Sequence, residues 1–381
     1  MCTLKSGTKM RFSMKKKMTL AALCAAGLFL FAGCTAQAET EIAANWLRTP
    51  SDVFTPGFYE KLTYAVEMEK TEDTSVSGMS FELDAENSSY YVETEAPSSP
   101  FSHGGTTYNE YYKLHSVAEI SGTYTYTDPE TGETSEICSF GGENDTPASD
   151  ADDAIRIERT VYFRTTRGDD NLEPIYSEND IYSFAPAGAT GGGVALYSYS
   201  YTIGYNAGCT EASIDYTDNF ADLSAEELQV SEGLQKGKVL LSDVTVDDLQ
   251  RSYTVLDNAQ LYFAGRGIAL SADAGTSLAV VSGENGLGSV SLTASGDPAA
   301  TPFTFTMDGE PFDGDVTCTT VSISVTSSGA NSGLPHSVKY ASTAQGEDGN
   351  SCYAMPMEIA EPFGYGIGSL VYTLREAVHT K

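Results

Sequence analysis

A short acidic segment has the residue types and the spacing closest to those of a metal site. Its carboxylates are Asp308, Glu310, Asp313 and Asp315. Carboxylate oxygens are the ligands that Ca²⁺ prefers, and the ion takes about six to eight of them. The spacing is not that of an EF-hand, and Asp308-Gly309 is also typical of a turn between two strands. The segment therefore predicts either a calcium site, the one cofactor that the sequence suggests, or a plain hairpin connection.

Catalytic groups are hard to assign from the sequence. The chain has four histidines, and none of them lies in an HExxH motif or four residues from another histidine. No GxSxG elbow or P-loop occurs in the chain, and the SxxK pattern occurs only within residues 1–33, at Ser6–Lys9 and Ser13–Lys16. A polysaccharide hydrolase needs only two carboxylates at a suitable separation, and 53 acidic residues do not identify such a pair. We therefore assign no catalytic residue and favour a non-enzymatic protein over an enzyme.

A run of tyrosines is the other feature that suggests binding. Tyr197, Tyr199 and Tyr201 are two residues apart, so a β-strand places all three on one face. Exposed tyrosines stack on sugars and fill protein interfaces. Tyrosine is also an ordinary strand residue. The run therefore predicts either a binding stripe or part of a packed core.

The N-terminus has the composition of an export signal. Met14 is followed by three lysines and by an apolar run at 18–32, which is shorter than the roughly 20 residues of a comfortable membrane span. The motif Phe-Ala-Gly-Cys at 31–34 then resembles the lipobox of bacterial lipoproteins. Met14 is accordingly the expected start of translation, and residues 1–33 are the expected signal peptide.

The lipobox resemblance implies a location outside the cytoplasm. Cys34 would carry a diacylglycerol with palmitate-type acyl chains and anchor the protein to the bacterial cell membrane or cell surface. Residues 34–45 would then be a short tether. Two other outcomes remain open, namely cleavage after Ala38 by the A-x-A rule, or retention of an uncleaved anchor.

The remaining cysteines suggest disulfides. Cys2 and Cys24 leave with the signal peptide and Cys34 would be lipidated, so four cysteines stay in an oxidising compartment, which permits two bridges. The local pairing would join Cys138 to Cys209 and Cys318 to Cys352.

Composition limits the classes of partner. The net charge is −32, which repels phosphate backbones, so we exclude nucleic acid as a partner. Hydrophobic residues make up 41% of the chain, enough for a packed core. The partners that remain are the membrane, through the lipid, and an extracellular protein or glycan.

Period-2 alternation predicts an all-β fold of antiparallel sheets. It occurs at 62–68, 155–163, 303–307 and 321–325, with turn residues such as Asp128-Pro129-Glu130-Thr131-Gly132 between runs. A capping-box pattern at Ser224–Glu227 and a run at 245–252 predict short helices. The fold is therefore expected to be either two sandwich-like halves or one large β assembly.

The same pattern predicts a domain organisation. A β-rich half at 46–216, a helical connector at 217–252 and a second β-rich half at 253–381 would follow the tether. The leading functional hypothesis is a lipid-anchored surface protein that binds a ligand or partner without catalysis. The alternatives are a cell-envelope polysaccharide hydrolase with an Asp/Glu pair, and a carrier of lipid or another apolar ligand.

Overall fold

The fold is built almost wholly from β-strands in the part of the chain that the computed structural model describes. That part comprises residues 54, 56–70, 78–141, 153–165, 172–187, 193–231, 233–239, 243–246, 249, 255–264, 266, 275–283, 286–325, 337–341, 344–345, 351–352, 355–363 and 367–380. The period-2 pattern of the first strand illustrates why strands form: Leu62, Tyr64 and Val66 are buried, whereas Glu67 and Glu69 are exposed.

The strands fall into two stretches along the chain, separated by a loop after Asp218. The strands before that loop are β1 (Tyr59–Lys70), β2 (Met79–Glu95), β3 (Phe101–His103), β4 (Thr106–Tyr108), β5 (Tyr112–Thr127), β6 (Thr134–Phe140), β7 (Ile155–Thr165), β8 (Leu172–Pro186), β9 (Val194–Tyr205) and β10 (Ala212–Asp218).

The strands after the loop are shorter at first and then long again. They are β11 (Gln229–Ser231), β12 (Leu234–Lys236), β13 (Val244–Val246), β14 (Val255–Asp257), β15 (Gly275–Ser282), β16 (Gly286–Met307), β17 (Glu310–Val325), β18 (Ser337–Ala341), β19 (Ala344–Gln345), β20 (Ser351–Cys352), β21 (Pro356–Phe363) and β22 (Gly368–His379). A 3-10 turn (Asn258–Gln260) leads into the short helix α1 (Leu261–Ala264).

One 18-stranded sheet contains strands from both stretches. Its neighbours run β10-β9-β8-β7-β5-β2-β1-β22-β21-β18-β17-β16-β15-β14, mostly antiparallel, while β3–β4 and β19–β20 form two small separate sheets. This arrangement confirms the all-β antiparallel prediction in the form of one large assembly. The alternative of two sandwich-like halves is wrong, because β1 pairs with β22 along eleven residues of register.

The sheet closes on itself in one region. The chain of neighbours β22-β21-β18-β17-β16 returns to β22, because Thr306 and Met307 of β16 pair with Glu376 and Ala377 of β22. This circuit of five strands has no open edge at that point. The side chains that it encloses, such as Tyr372, belong to the main hydrophobic core.

Tight turns set the register of the long hairpins. Asp308 and Gly309 connect β16 to β17 and both have positive φ, 52° and 84°, which is the geometry of a two-residue type I′ hairpin turn. Asp128 Oδ1 accepts hydrogen bonds from the backbone N–H groups of Glu130 and Thr131 in the turn between β5 and β6. Both turns were expected from their residue types.

The predicted helical connector at 217–252 is wrong for its described residues. Ser224 and Glu227 do form the hydrogen bonds of a capping box, but only one turn follows before β11 begins at Gln229. The second expected helix at 245–252 overlaps β13, which pairs with β10. Sheet pairing with β9 and β10 therefore overrides the local helical signal in this segment.

Candidate binding face and buried polar centres

One face of the sheet is polar and half-exposed where β1, β2, β5, β7 and β8 lie side by side. We call the outward side chains of these strands the outer face. The register aligns them in rows across the strands, and one row contains Lys61, Glu93, His115, Thr160 and Glu178. The alternating side chains of the same strands face the core. The outer face therefore presents donors, acceptors and both signs of charge in a regular array.

Glu158 is the centre of an ion network on this face. Its two oxygens lie 2.8 Å from Nε2 of His115 and 2.9 Å from Nη2 of Arg156, whose Nη1 donates to Glu119 at 2.7 Å. Partial burial alone would raise the pKa of Glu158, but the hydrogen bonds from Arg156 and His115 outweigh it and lower that pKa. Glu158 is therefore held as a carboxylate.

This network contributes little to stability. The side chains of Arg156 and Glu119 are each 38% exposed, and exposed ion pairs are worth about 0–1 kcal/mol. Tyr91 lies beside the network, with Nζ of Lys61 at 4.4 Å from its ring centre. The array therefore leaves charged and aromatic groups accessible to a binding partner.

An aromatic cluster occupies one end of the outer face. Tyr162 and Tyr176 lie next to each other, with ring centres 6.2 Å apart, and we call this pair the aromatic platform. The β3–β4 hairpin, residues 101–108, covers it, and we call this hairpin the flap. Phe101 stacks on Tyr162 at 4.1 Å and 2°, and His103 packs on Tyr176 at 4.8 Å.

Asp257 forms a polar centre inside the fold. Its carboxylate accepts hydrogen bonds from Ser177 Oγ at 2.6 Å, from Tyr205 OH at 2.8 Å and from the backbone N–H of Ala259. Burial raises the pKa of Asp257, although these donors oppose the rise. The Gln260 side chain accepts from the backbone N–H of Asp257 and so completes a capping box at the 3-10 turn.

Two further carboxylates, the half-buried Glu361 and the buried Glu60, accept hydrogen bonds from donors within the fold. Glu361 accepts from the hydroxyl groups of Tyr262 at 2.7 Å and Tyr372 at 2.5 Å. Glu60 accepts two hydrogen bonds from the guanidinium of Arg266, which is almost fully buried. All three carboxylates thus use both of their oxygens within the fold.

His379 extends the Glu60 group to the surface. Its Nε2 lies 3.2 Å from Glu60 Oε2, and its backbone N–H donates to Asp308 Oδ1 at 2.7 Å. The group therefore links β1 and β22 to the turn between β16 and β17. Burial alone would raise the pKa of Glu60, but the charge of Arg266 and the hydrogen bonds from His379 and Arg266 lower it to about 2.

The predicted calcium site is wrong. The described residues contain no group of three or more carboxylate, imidazole or thiol side chains placed to hold a metal ion. Strand alternation is the cause, since Glu310 and Asp313 lie on opposite faces of β17. Asp313 instead accepts from Thr304 at 3.0 Å, Asp308 caps His379, and Asp315 lies opposite Pro302 across the hairpin.

The three tyrosines of the predicted stripe share a face but do not form an exposed surface. Tyr199 stacks beside Tyr201, whose side chain is buried in a second hydrophobic cluster. Glycine backbone packs against two of the rings: a Cβ added at Gly237 would fall 2.2 Å from the ring of Tyr197, and one added at Gly283 would fall 2.3 Å from that of Tyr201. Tyr201 therefore belongs to the core, whereas Tyr197 and Tyr199 are half-buried.

The predicted Cys138–Cys209 disulfide is absent, and both thiols are free. Cys138 pairs with Tyr124 near one end of β5, whereas the turn before Cys209 contacts Arg164 beyond the other end. At about 3.3 Å per residue along β5, the two cysteines lie tens of ångströms apart, and a disulfide needs Cα atoms within about 7 Å. Burial raises the pKa of each thiol to about 12.

Cys318 is also a free, buried thiol, which contradicts the predicted bridge to Cys352, whose own side chain lies outside the described residues. Cys34 and the whole signal segment also lie outside the described residues. Within the described part of the chain, no helix has the length and apolar character needed to cross a bilayer.

The outer face and the buried centres were missed by the sequence analysis for different reasons. Glu60, Arg266 and His379 are far apart in sequence, and no local pattern connects them. Asp257 and Gln260 did carry a signal, because an Asp followed three residues later by Gln has the spacing of a capping box.

Comparisons with known proteins add little. No family model and no curated protein matches the sequence. A crystal structure described as a beta-barrel-like protein of a domain of unknown function, from Brucella abortus, is similar over 86% of this chain and 100% of its own. The identity is 7% and the TM-score is 0.38. These values are too low for an argument about function.

Proposed function

We propose that this chain is an exported, lipid-anchored protein that binds a ligand or partner outside the cytoplasm through its outer face. The observation that carries the proposal is the half-exposed network of Arg156, Glu158, His115 and Glu119, aligned in register across neighbouring strands. An array of this kind contributes little to folding stability, and it offers hydrogen-bonding groups to a partner.

Binding is favoured over catalysis by the state of three internally hydrogen-bonded carboxylates, of which Glu60 and Asp257 are buried and Glu361 is half-buried. Asp257, Glu361 and Glu60 are each held by two or more donors from within the fold. A general acid or base must reach the proton of a bound substrate, and these groups direct their oxygens to their own chain. Of these, Glu60 lies on β1 and Asp257 binds Ser177 of β8, so both help to fix strands that carry the outer face.

The membrane anchor is tested by Cys34→Ala. This change removes the sulfur that would carry the diacylglycerol, so we expect the protein to move from the membrane fraction to the soluble extracytoplasmic fraction. Immunoblots of fractionated cells measure the distribution. Unchanged membrane retention of Cys34→Ala would contradict lipid anchoring.

The binding face is tested with residues 39–381 as a tagged protein added to washed cell envelopes. We expect the wild-type protein to be retained and Arg156→Ala/Glu158→Ala to lose most of the retention. Thr304→Ala/Asp313→Ala is the matched control, because it removes an exposed cross-strand pair on the β16–β17 hairpin, away from the outer face. Equal retention of the two variants would refute the assignment of the face.

A further inference from the structure

The flap is attached to the sheet by rings rather than by strand pairing. Phe101 pairs with Tyr108 and His103 with Thr106, so β3 and β4 form a two-stranded sheet of their own. Gly104 and Gly105 both have positive φ, 56° and 78°, and make the tight turn at the tip.

The segments that lead into and out of the flap are mostly exposed. Residues 98–100 precede it and residues 109–110 follow it, all of them at the surface. Tyr111 anchors the base, since its hydroxyl donates to the carbonyl of Ser99 at 2.9 Å. Tyr108, at the end of the flap, is buried against Tyr111 and Ile175, so flexing at the exposed segments can lift the Phe101–His103 side of the flap without breaking a strand pair of the large sheet.

The platform under the flap accepts two flat rings side by side. Phe101 lies parallel to Tyr162, and His103 lies on Tyr176 with its ring against Gly204, where a Cβ would fall 2.9 Å from Nε2. Gly204 leaves the space that the His103 ring fills. The 6.2 Å between the two tyrosine centres is comparable with the spacing of successive pyranose rings in a glycan chain.

The groups around the platform suit a neutral sugar. Lys113 pairs with Tyr162 across the strands, and the charges of Glu178 and Glu95 act on the Tyr162 hydroxyl. Carboxylates and ammonium groups bind sugar hydroxyls, and tyrosine rings stack on the C–H face of a pyranose. The net charge of −32 repels acidic polymers, so the charge favours a neutral glycan.

We propose that the flap is a lid over a glycan-binding site, and that neutral hexose rings stack on Tyr162 and Tyr176 when the flap lifts. This inference rests on the proposed function and names its ligand class. In the closed state Phe101 and His103 occupy the positions of the two sugar rings. Removing these rings therefore exposes the site and removes the competition between flap and ligand.

The test is affinity electrophoresis of residues 39–381 in native gels that contain a β-glucan, an α-glucan or a mannan, with alginate as the anionic control. Phe101→Ala/His103→Ala is expected to bind at least one neutral polysaccharide about fivefold or more tightly than wild type, because two ring contacts no longer hold the lid shut. Adding Tyr162→Ala/Tyr176→Ala to that variant should abolish the gain. Ser102→Ala, on the exposed side of the flap, is the control and should behave as wild type.

The outcomes separate this inference from the proposed function. If Phe101→Ala/His103→Ala binds neutral polysaccharide no better than wild type, the lid is refuted. The envelope-retention experiment with Arg156→Ala/Glu158→Ala then still tests binding by the outer face. If no variant binds a neutral polysaccharide, or if alginate binds equally well, the glycan assignment is refuted. Phe101→Ala alone, with near-ultraviolet circular dichroism as a check of folding, replaces the double variant if that variant does not fold.

Discussion

The ion pair of Glu60 and Arg266 gives the sharpest stability prediction. Glu60 is fully buried, and its pKa is about 2 against an ordinary value of 4.5. Since one pKa unit corresponds to about 1.4 kcal/mol, the folded state gains about 3 kcal/mol from the ionised form of Glu60 at neutral pH. Burial leaves little solvent to screen this interaction.

The sign of the pH dependence follows from the direction of the shift. A carboxyl whose pKa is lower in the folded state contributes its stability above the unfolded value, and loses it as the pH falls. For Glu60 the contribution is complete above about pH 5 and disappears as the pH falls from 4.5 towards 2. Urea unfolding of residues 39–381 at pH 7 and at several values below 5 measures it.

Glu60→Gln is the informative change because it keeps the shape and removes the charge. We expect it to lower the free energy of unfolding at pH 7 by about 3 kcal/mol and to flatten the loss of stability between pH 4.5 and 2. Glu358→Gln is the matched control, since Glu358 forms a half-exposed pair with Lys339 and should cost at most about 1 kcal/mol. A Glu60→Gln protein within 1 kcal/mol of wild type, or one with an unchanged acid profile, would show that this account of the pair is wrong.

Other changes test further parts of the structure. Asp257→Ala should lower the free energy of unfolding, measured by urea titration, by about 3 kcal/mol or more, because Ser177 and Tyr205 lose their acceptor. Asp257→Asn keeps an acceptor oxygen and should lower it by less. Equal losses for the two variants would contradict the hydrogen-bond network. Millimolar Ca²⁺ should leave the melting temperature unchanged, since the carboxylates of 308–315 do not converge; a rise reversed by chelation would restore the calcium site. Gly122→Ala should lower the free energy of unfolding by more than 1 kcal/mol, because the new Cβ would fall 2.4 Å from the backbone carbonyl oxygen of Glu82. Thermal melts measure this effect, and an unchanged melting temperature would contradict that packing.

The sequence predicts a strand well where one face of the strand is buried and the other is exposed to solvent. Leu62, Tyr64 and Val66 alternate with polar residues, and that pattern is specific to a strand with a solvated face. The turn at Asp308-Gly309 was equally predictable from the sequence, because positive φ at two consecutive residues restricts the residue types. Local physics decides both features, so local sequence is enough to predict them.

The burial of a side chain by segments distant in sequence could not be predicted from the local sequence. The shared face of Tyr197, Tyr199 and Tyr201 followed from parity, but the backbone at Gly237 and Gly283 that covers it comes from elsewhere in the chain. The helix expected at 224–227 failed for the same reason, because pairing with distant strands determined the structure of the residues that follow.

The buried pairs show the same limit. Glu60 lies next to His379 because β1 pairs with β22, and no spacing in the sequence encodes that neighbour relation or the contact of Glu60 with Arg266. The aromatic platform also depends on sheet register, because Tyr162 and Tyr176 become neighbours only through the pairing of β7 with β8.

The pairing of β1 with β22 has a consequence for the order in which the chain folds. Residues 319 positions apart in sequence, Glu60 and His379, contact each other, and a ribosome synthesises the chain from its N-terminus. One edge of β1 therefore stays without its partner strand until almost the whole chain has been synthesised. Loop closure of this length makes folding slow and leaves an unpaired strand open to aggregation in the meantime. We expect refolding of residues 39–381 to be slow, and a chaperone that binds exposed strand edges to raise the yield.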